Sequence, residues 1–196
     1  VQNELLTNGT YVFYAAGRTS RASLTSSDYM KTSDFALAYT LLVAKAAPFY
    51  DDTNYVAVSH PFVINDVRID STTNGGWTDM VKYAMPEKLL AGEVSQVHNV
   101  RILMSQTIAS FLGGSGGTVN ILPTYFIGQK AYTVVESQPM TTIIKSNTEG
   151  GAENPLNLYG SVAVKIRFGV KITKQESLLR YESTTSLASS LSGLPY

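Results

Sequence analysis

Few residues in this 196-residue chain could do chemistry, and they are scattered. The two histidines are His60 and His98, and there is no cysteine. A serine hydrolase could be built from Ser59 or Ser95 with a histidine as base, and Asp66 would then orient that base. However, Ser59 lacks the Gly-x-Ser-x-Gly turn that exposes a nucleophile, and adjacent strand residues face opposite sides. We therefore expect a helix-entry role for His60 and a turn role for His98.

Metal-binding and phosphate-binding patterns are also missing from the sequence. No H-x-x-x-H or H-E-x-x-H spacing occurs. The single acidic pair, Asp51-Asp52, follows Pro48 and is typical of a solvated turn. The glycine-rich run 113–117 is followed by Thr118 instead of a phosphate-binding lysine, so it is predicted to be a hairpin tip. We expect no enzyme activity, no cofactor, no bound metal and no small-molecule substrate.

Charge and hydropathy narrow the range of partners. Lys and Arg total 15 and Asp and Glu total 15, so the formal net charge is zero. Proteins that neutralise many phosphates usually carry a basic excess, so tight DNA binding by the whole surface is not expected. Lys165, Arg167 and Lys171 could nevertheless meet DNA phosphates or acidic groups of a neighbouring chain, or simply be solvated. No apolar run reaches the roughly 18–20 residues that a membrane helix needs, so no membrane partner is expected.

The elements that must position these residues mix helical and strand patterns, which is typical of an α+β architecture. Thr32 as N-cap, Asp34 in the first turn and Pro48 beyond the end delimit one helix. Its apolar residues recur at helical spacing. A strand is predicted at 55–58, and the next helix over 61–70.

The following segments are predicted to be shorter elements. Two helical turns are expected over 77–84 and 86–92. A strand or hairpin is predicted over 94–104, and strands over 119–127 and 132–136.

The most regular element is the strand predicted over 162–173. Its apolar residues all share one face: Val162, Val164, Ile166, Phe168, Val170 and Ile172. Lys165, Arg167 and Lys171 share the other. Twelve residues would span about 40 Å at roughly 3.3 Å per residue, which exceeds the usual strand length and indicates an extended spanning element.

The N-terminal quarter is rich in tyrosine, and its residues 1–24 show no clean buried face. Tyrosine suits interfaces, because its ring buries area while its hydroxyl stays paired or wet. We therefore predict that residues 1–24 form an arm on a neighbouring subunit. The expected contacts of this arm are Tyr11, Phe13, Tyr14, Arg18 and Arg21.

Several short motifs follow one another in a fixed order. They include Tyr-Val-Ala-Val-Ser-His-Pro at 55–61, Gly-Trp-Thr-Asp at 76–79, Leu-Pro-Thr-Tyr-Phe-Ile-Gly at 122–128 and Leu-Leu-Arg-Tyr-Glu at 178–182. In this order they resemble the major capsid proteins of tailed phages, in the branch of phages like N-four, which have the Hong Kong 97 capsid fold. The matching positions are His60, Pro61, Gly76, Trp77, Tyr83, Pro86, Gly92, Glu93, Pro123, Gly128, Pro155, Leu156, Gly160 and Arg180.

The resemblance implies an α+β fold of the Hong Kong 97 type with a spine helix, a long-stranded peripheral domain and an axial domain. The resemblance divides the chain into five expected parts. An extended loop or arm at 1–30 would have its earlier portion before residue 1, and the spine helix of the peripheral domain would lie at 31–53. The axial domain would follow at 54–137, then the return strands of the peripheral domain at 138–182 and a C-terminal tail at 183–196.

The resemblance also implies a structural role in the virion. The chain would assemble in the bacterial host cytoplasm into pentamers and hexamers of an icosahedral head around double-stranded DNA, which it would contact non-specifically. Its partners would be many copies of itself, with portal, decoration or other capsid proteins. One alternative is an encapsulin-like nanocompartment shell, which shares the fold. Another, from a different class, is a small hydrolase that uses His60 and Asp66.

Overall fold

A computed structural model gives the structure of the chain and describes residues 4–5, 11–51, 53–79, 90–146, 156 and 158–187. The helices are α1 (Thr32–Ala44) and α2 (Pro61–Asn74). The strands are β1 (Val12–Tyr14), β2 (Tyr55–Ser59), β3 (Trp77–Asp79), β4 (Glu93–Val97), β5 (Val100–Met104), β6 (Phe111–Gly113), β7 (Val119–Ile127), β8 (Tyr132–Lys145), β9 (Ser161–Ile172) and β10 (Leu178–Ser183).

The chain divides into two compact units. We call Gln2–Ala131 with Ile172–Tyr196 the sheet unit, and Tyr132–Lys171 the ribbon. In the described part of the sheet unit, eight strands form one sheet in the order β1-β10-β7-β2-β5-β4-β3, with β6 paired to β7 beside this path. Strand β1 is parallel to β10 and β2 is parallel to β5. The ribbon pairs β8 with β9, and the mixture of helices and strands confirms the predicted α+β class.

Helix α1 starts with a different cap from the predicted one. The Lys31 N–H donates to the Asp34 carboxylate at 2.8 Å and closes the first turn. Thr32 is already helical, and its hydroxyl and N–H both donate to the Asp70 carboxylate of α2, at 2.7 and 2.9 Å. The Thr32 cap prediction is wrong because a distant carboxylate takes the hydroxyl that would have capped the helix.

The helix ends show how local conformation stops each helix. Helix α1 ends at Ala44, short of the predicted stop at Pro48, and Ala46 adopts a left-handed φ of 51°. Helix α2 confirms the predicted helix and extends it to Asn74, where Gly75 with φ 71° ends it. No helix among the described residues is both long and apolar enough to cross a membrane.

The core of the sheet unit forms where α1 covers the sheet. Phe35, Ala38 and Leu42 are at most 1% exposed, which confirms the predicted apolar spacing. The Phe35 ring meets Phe126 of β7 edge to face, with 5.3 Å between ring centroids. Each fully buried large apolar side chain contributes about 1.5–3 kcal/mol, so this contact fixes α1 on the sheet.

The predicted strands are largely confirmed. The strand pattern over 94–104 becomes the antiparallel pair β4–β5, and β7 has the predicted bounds. His98 and Asn99 join β4 to β5 with φ of 46° and 60°, as a two-residue turn with two positive φ angles requires, so the turn role of His98 is confirmed. The helical prediction over 77–84 is wrong for its first residues, because Trp77–Asp79 pairs with β4. Residues 80–84 and 86–89 of the two predicted helical turns lie outside the described residues, and 90–92 form a turn before β4 instead of the end of a helix.

The N-terminal segment folds onto its own chain. Strand β1 pairs with β10, with Val12 opposite Arg180. Ala15 and Leu24 are fully buried in the core. The expectation that residues 1–24 lack a buried face of their own is therefore wrong, because β10, far along the sequence, covers one side. Removing these residues would take away part of the core, so the truncation cannot serve as a clean test of an arm.

The units of the structure do not coincide with the predicted parts. Helix α1, predicted within a peripheral part at 31–53, packs on the same sheet as β2 of the predicted axial part. Strand β10, predicted within the return strands at 138–182, lies inside that sheet. Of the tail predicted at 183–196, Ser183, Thr184 and Thr185 are buried. The names peripheral and axial stay a prediction.

The loop 113–117 is a hairpin tip, as predicted, because it joins the antiparallel strands β6 and β7. Gly114 has φ 71°, and a Cβ there would lie 2.6 Å from the Leu24 carbonyl oxygen. The Ser115 N–H donates to the same carbonyl at 2.7 Å. The glycine therefore allows the hairpin tip to dock on the N-terminal segment.

We expect Gly114→Ala to destabilise the protein more than Gly117→Ala. Both glycines have a positive φ, but Gly114 (ψ −163°) lies in a region that is essentially restricted to glycine, which adds to its strain as alanine. A Cβ on Gly117 (φ 70°) would meet nothing within 4 Å. Gly117→Ala should lower the free energy of unfolding by about 1 kcal/mol, the strain of a left-handed alanine. Gly114→Ala should lose about 1–3 kcal/mol more through overpacking. Urea unfolding followed by circular dichroism measures both, and equal losses would contradict the docking.

Candidate assembly interface

The ribbon exposes large apolar side chains in the single chain. On β9, Val162, Val164, Ile166 and Phe168 are 72%, 59%, 46% and 63% exposed. On β8 the exposed apolar residues are Val134, Val135, Met140, Ile143 and Ile144. Apolar patches that are contiguous and exposed mark interaction sites in soluble proteins.

The geometry of β9 explains why these side chains lie together. The predicted strand over 162–173 is confirmed as Ser161–Ile172, and alternate residues of a strand share one face. The described part of the chain covers that apolar face only at its end, where Val170 is half-buried and Ile172 buried. A two-stranded ribbon is marginally stable in water, so another surface has to cover this face.

The structure also brings together the three predicted cations of β9. Lys165, Arg167 and Lys171 are all exposed, on the face opposite to the apolar row. Strand β9 therefore presents an apolar side and a cationic side.

The predicted arm contacts find partners in their own chain. Tyr11, Phe13 and Tyr14 are half-buried. The Lys45 ammonium lies 3.2 Å from the centroid of the Tyr11 ring. Arg18 pairs with Asp28, with 3.0 Å between Nε and Oδ2. These contacts satisfy the segment within the sheet unit, and a contact of its exposed parts with a neighbour stays a prediction.

Arg21 forms the strongest link between the N-terminal segment and the sheet. Its Nη2 and Nε donate to the two Glu182 carboxylate oxygens at 2.6 and 2.8 Å. Arg180 Nε lies 3.0 Å from the same carboxylate, and Glu182 is fully buried. Hydrogen bonding to Glu182 raises the pKa of Arg21, which keeps the guanidinium charged. Sequence reasoning missed Glu182, although its spacing of two from Arg180 places both on one side of a strand.

The residues of the hydrolase alternative are engaged separately. The Ser59 hydroxyl is buried and bonds the Thr124 hydroxyl at 2.9 Å. Both Asp66 carboxylate oxygens accept from Ser186, one from its hydroxyl and the other from its N–H at 3.0 Å. Asp66 therefore anchors the segment after β10, and it does not orient a histidine in this arrangement.

His60 has the helix-entry role that the sequence predicted. Its Nδ1 accepts the Phe62 N–H at 3.2 Å and caps α2, and Pro61 fills the first helical position. The ring also packs edge-on against Phe62, with 4.9 Å between centroids. Burial lowers the pKa of His60, so the neutral ring that can accept this hydrogen bond is favoured.

Several positions that carry the resemblance have local structural roles. Glu93 forms a buried ion pair with Arg101, with 2.6 Å between Oε2 and Nη2. A Cβ on Gly128 would lie 2.7 Å from the Pro48 carbonyl oxygen. Leu156 is 75% exposed. Of the other described positions, Gly76 lies directly before β3 and Trp77 is its first residue. Gly92 precedes β4, Pro123 lies in β7 and Gly160 precedes β9. Tyr83, Pro86 and Pro155 lie outside the described residues.

Comparison with solved structures identifies the fold. The capsid of Ralstonia phage GP4 matches with a TM-score of 0.71 at 17% identity, over 91% of this chain and 53% of that one. The capsid of cyanophage Pam1 matches with a TM-score of 0.65 at 15% identity, over 92% and 56%. The chain has the Hong Kong 97-type capsid fold.

A nanocompartment shell shares this capsid fold. The SrpI encapsulin complex from Synechococcus elongatus matches with a TM-score of 0.56 at 11% identity, over 92% of this chain and 56% of that one. The chain thus spans about half the length of the solved capsid chains that it matches. No protein-family model and no curated protein matches the sequence.

We expect Glu182→Gln to destabilise the sheet unit by about 3 kcal/mol, because it leaves the buried Arg180 charge without its carboxylate. The matched control is Asp51→Asn, which removes a carboxylate that is 46% exposed and leaves its partner Arg101 paired with Glu93. That loss should stay at about 1 kcal/mol or less. Urea unfolding measures both variants, and a Glu182→Gln loss no larger than that of the control would contradict the role of the buried pair.

His60 should make folding stability depend on pH. Its pKa is lowered below 6.5 in the folded state, so the unfolded chain binds the proton first. The contribution of the neutral ring is therefore present above pH 6.5 and is lost as pH falls through the lowered pKa. His60→Asn keeps a capping acceptor without titrating. Its melting temperature should fall less than that of the wild type between about pH 7.5 and 5.5; identical slopes would contradict this assignment.

Proposed function

We propose that this chain is the shell-forming part of a tailed-phage major capsid protein, in the branch of phages like N-four. The observation that supports it best is the uncovered apolar face of β9, on a chain with the fold of phage capsids. A shell protein needs such a face, because its surfaces are completed only by other copies of itself. The role is structural and involves no catalytic step.

The assembly we propose is an icosahedral head built from pentamers and hexamers. It would form in the bacterial host cytoplasm, enclose double-stranded DNA and become part of the virion. Portal, decoration or other capsid proteins would join it. Covering one large apolar side chain of β9 contributes about 1.5–3 kcal/mol, so several together supply an interface of moderate strength. Many such interfaces sum to a shell whose stability depends on subunit concentration.

The exposed parts of the N-terminal segment would add a second contact. Arg18 and Arg21 have side chains that are 40% and 43% exposed although each already has a carboxylate partner. We assign them, with the half-buried Tyr11, Phe13 and Tyr14, to the rim of a contact between subunits. Exposed charges at a rim set orientation more than affinity.

The encapsulin-like alternative is kept because one encapsulin shares the fold. Its TM-score of 0.56 is lower than the 0.71 and 0.65 of the two phage capsids. The phage-head hypothesis and the nanocompartment hypothesis differ in what the particle encloses. Purified particles that contain DNA support the phage head, and particles that contain a cargo enzyme support the nanocompartment.

We expect the double variant Ile166→Thr, Phe168→Thr to lose assembly while keeping its fold. Threonine retains β-propensity, and both side chains are already exposed in the single chain. Circular dichroism and the melting temperature should therefore stay close to wild type. Sedimentation velocity and negative-stain electron microscopy should show closed particles for the wild type and small species for the variant.

The matched control is Met104→Thr with Leu112→Thr, which changes two exposed apolar strand residues of the sheet unit. This control should form particles. Normal particles from the β9 variant would contradict the role of the ribbon in assembly. A wild-type chain that stays monomeric at high concentration would contradict the proposed function itself.

A further inference from the structure

The cationic face of β9 is open and continuous. Lys165, Arg167 and Lys171 alternate with the apolar row, and Gly169 lies between them on the same side. A Cβ on Gly169 would meet nothing within 4 Å, and Lys165, Arg167 and Lys171 are exposed. At roughly 3.3 Å per residue the row extends over about 20 Å.

These cations have no partners among the described residues, whereas the arginines of the sheet unit do. Arg18, Arg21, Arg101 and Arg180 each pair with a carboxylate. None of the three β9 cations forms an ion pair within the described part of the chain. The strands β8 and β9 together contain four cations and one carboxylate, although the whole chain is neutral.

Within the described ranges, a second copy of the sheet unit offers this row few carboxylates that are not already engaged. Most described carboxylates of the sheet unit already accept hydrogen bonds or pair with arginine. These are Asp28 with Arg18, Asp34 with the Lys31 N–H, Asp51 and Glu93 with Arg101, Asp66 with Ser186, Asp70 with Thr32, and Glu182 with Arg21. The engagement of these carboxylates favours an anion from another kind of molecule as the ligand of the row.

We propose that Lys165, Arg167 and Lys171 bind the phosphate backbone of duplex DNA without reading its sequence. A straight row of cations fits a linear polyanion, which offers about one charge per 1.7 Å of helix axis. The apolar side of β9 stays available for protein, because the two rows point in opposite directions. This inference rests on the proposed function, since the packaged genome supplies the DNA.

The experiment compares the full wild-type chain with the triple variant Lys165→Gln, Arg167→Gln, Lys171→Gln. The control variant Lys31→Gln, Lys130→Gln, Lys174→Gln removes the same charge from the sheet unit. Fluorescence anisotropy of a labelled 20-base-pair duplex gives the dissociation constant between 50 and 200 mM salt. Three phosphate contacts predict a slope of about −2.7 in log K against log salt, or roughly 40-fold weaker binding over that range.

Each outcome decides one question. The wild type and the control should show this salt dependence, and the triple variant should lose most of it. Equal binding by the wild type and the triple variant, an equal loss in the control, or no DNA binding by the wild type at 50 mM salt overturns the inference. A triple variant that binds DNA normally but fails to form particles would show that the row contacts a protein neighbour.

Electron microscopy of the same samples separates this inference from the proposed function. If the triple variant forms particles and binds DNA as the wild type does, the DNA contact is rejected and the proposed function stands. DNA binding that depends on the row, without any particle, would reject the shell and leave the binding surface standing.

Discussion

A long strand with one apolar face has to be covered, and the described residues leave most of the apolar face of β9 exposed. Val162, Val164, Ile166 and Phe168 are exposed in the single chain, although their strict alternation is the pattern of a strand with one buried face. A two-stranded ribbon cannot bury that face against itself, because side chains on one face all point the same way. The exposed face therefore needs another surface to cover it, and the proposed assembly supplies that surface.

The described residues of the sheet unit, in contrast, make their contacts within the chain. Its helices cover the sheet, and its buried charges are matched inside the chain, as with Glu182 between Arg21 and Arg180. Such pairs fix the position of the N-terminal segment more than they add net stability, because desolvation offsets much of their attraction. Among the described residues, the sheet unit thus pairs these charges within the chain, whereas the ribbon leaves a row of apolar side chains exposed.

The sequence predicted those elements whose pattern is local. The alternation of β9, the bounds of β7 and the His60-Pro61 start of α2 can all be read within a few residues. The N-terminal segment could not be read in this way, because Arg21 and Glu182 are 161 positions apart. Strand β3 was missed for a similar reason: three residues carry no period of their own, and β4 defines them as a strand.

Fold similarity at 17% identity with a TM-score of 0.71 means that the backbone arrangement is similar while most individual residues differ. The same fold encloses either a genome or an enzyme, so the fold alone does not decide what the interior holds. What a shell encloses depends on the chemistry of the surfaces that face its interior. An open cationic row is suited to DNA phosphates, whereas a nanocompartment that captures a protein needs a groove for a peptide. The proposal of a genome instead of an enzyme cargo therefore rests on the cationic row of β9.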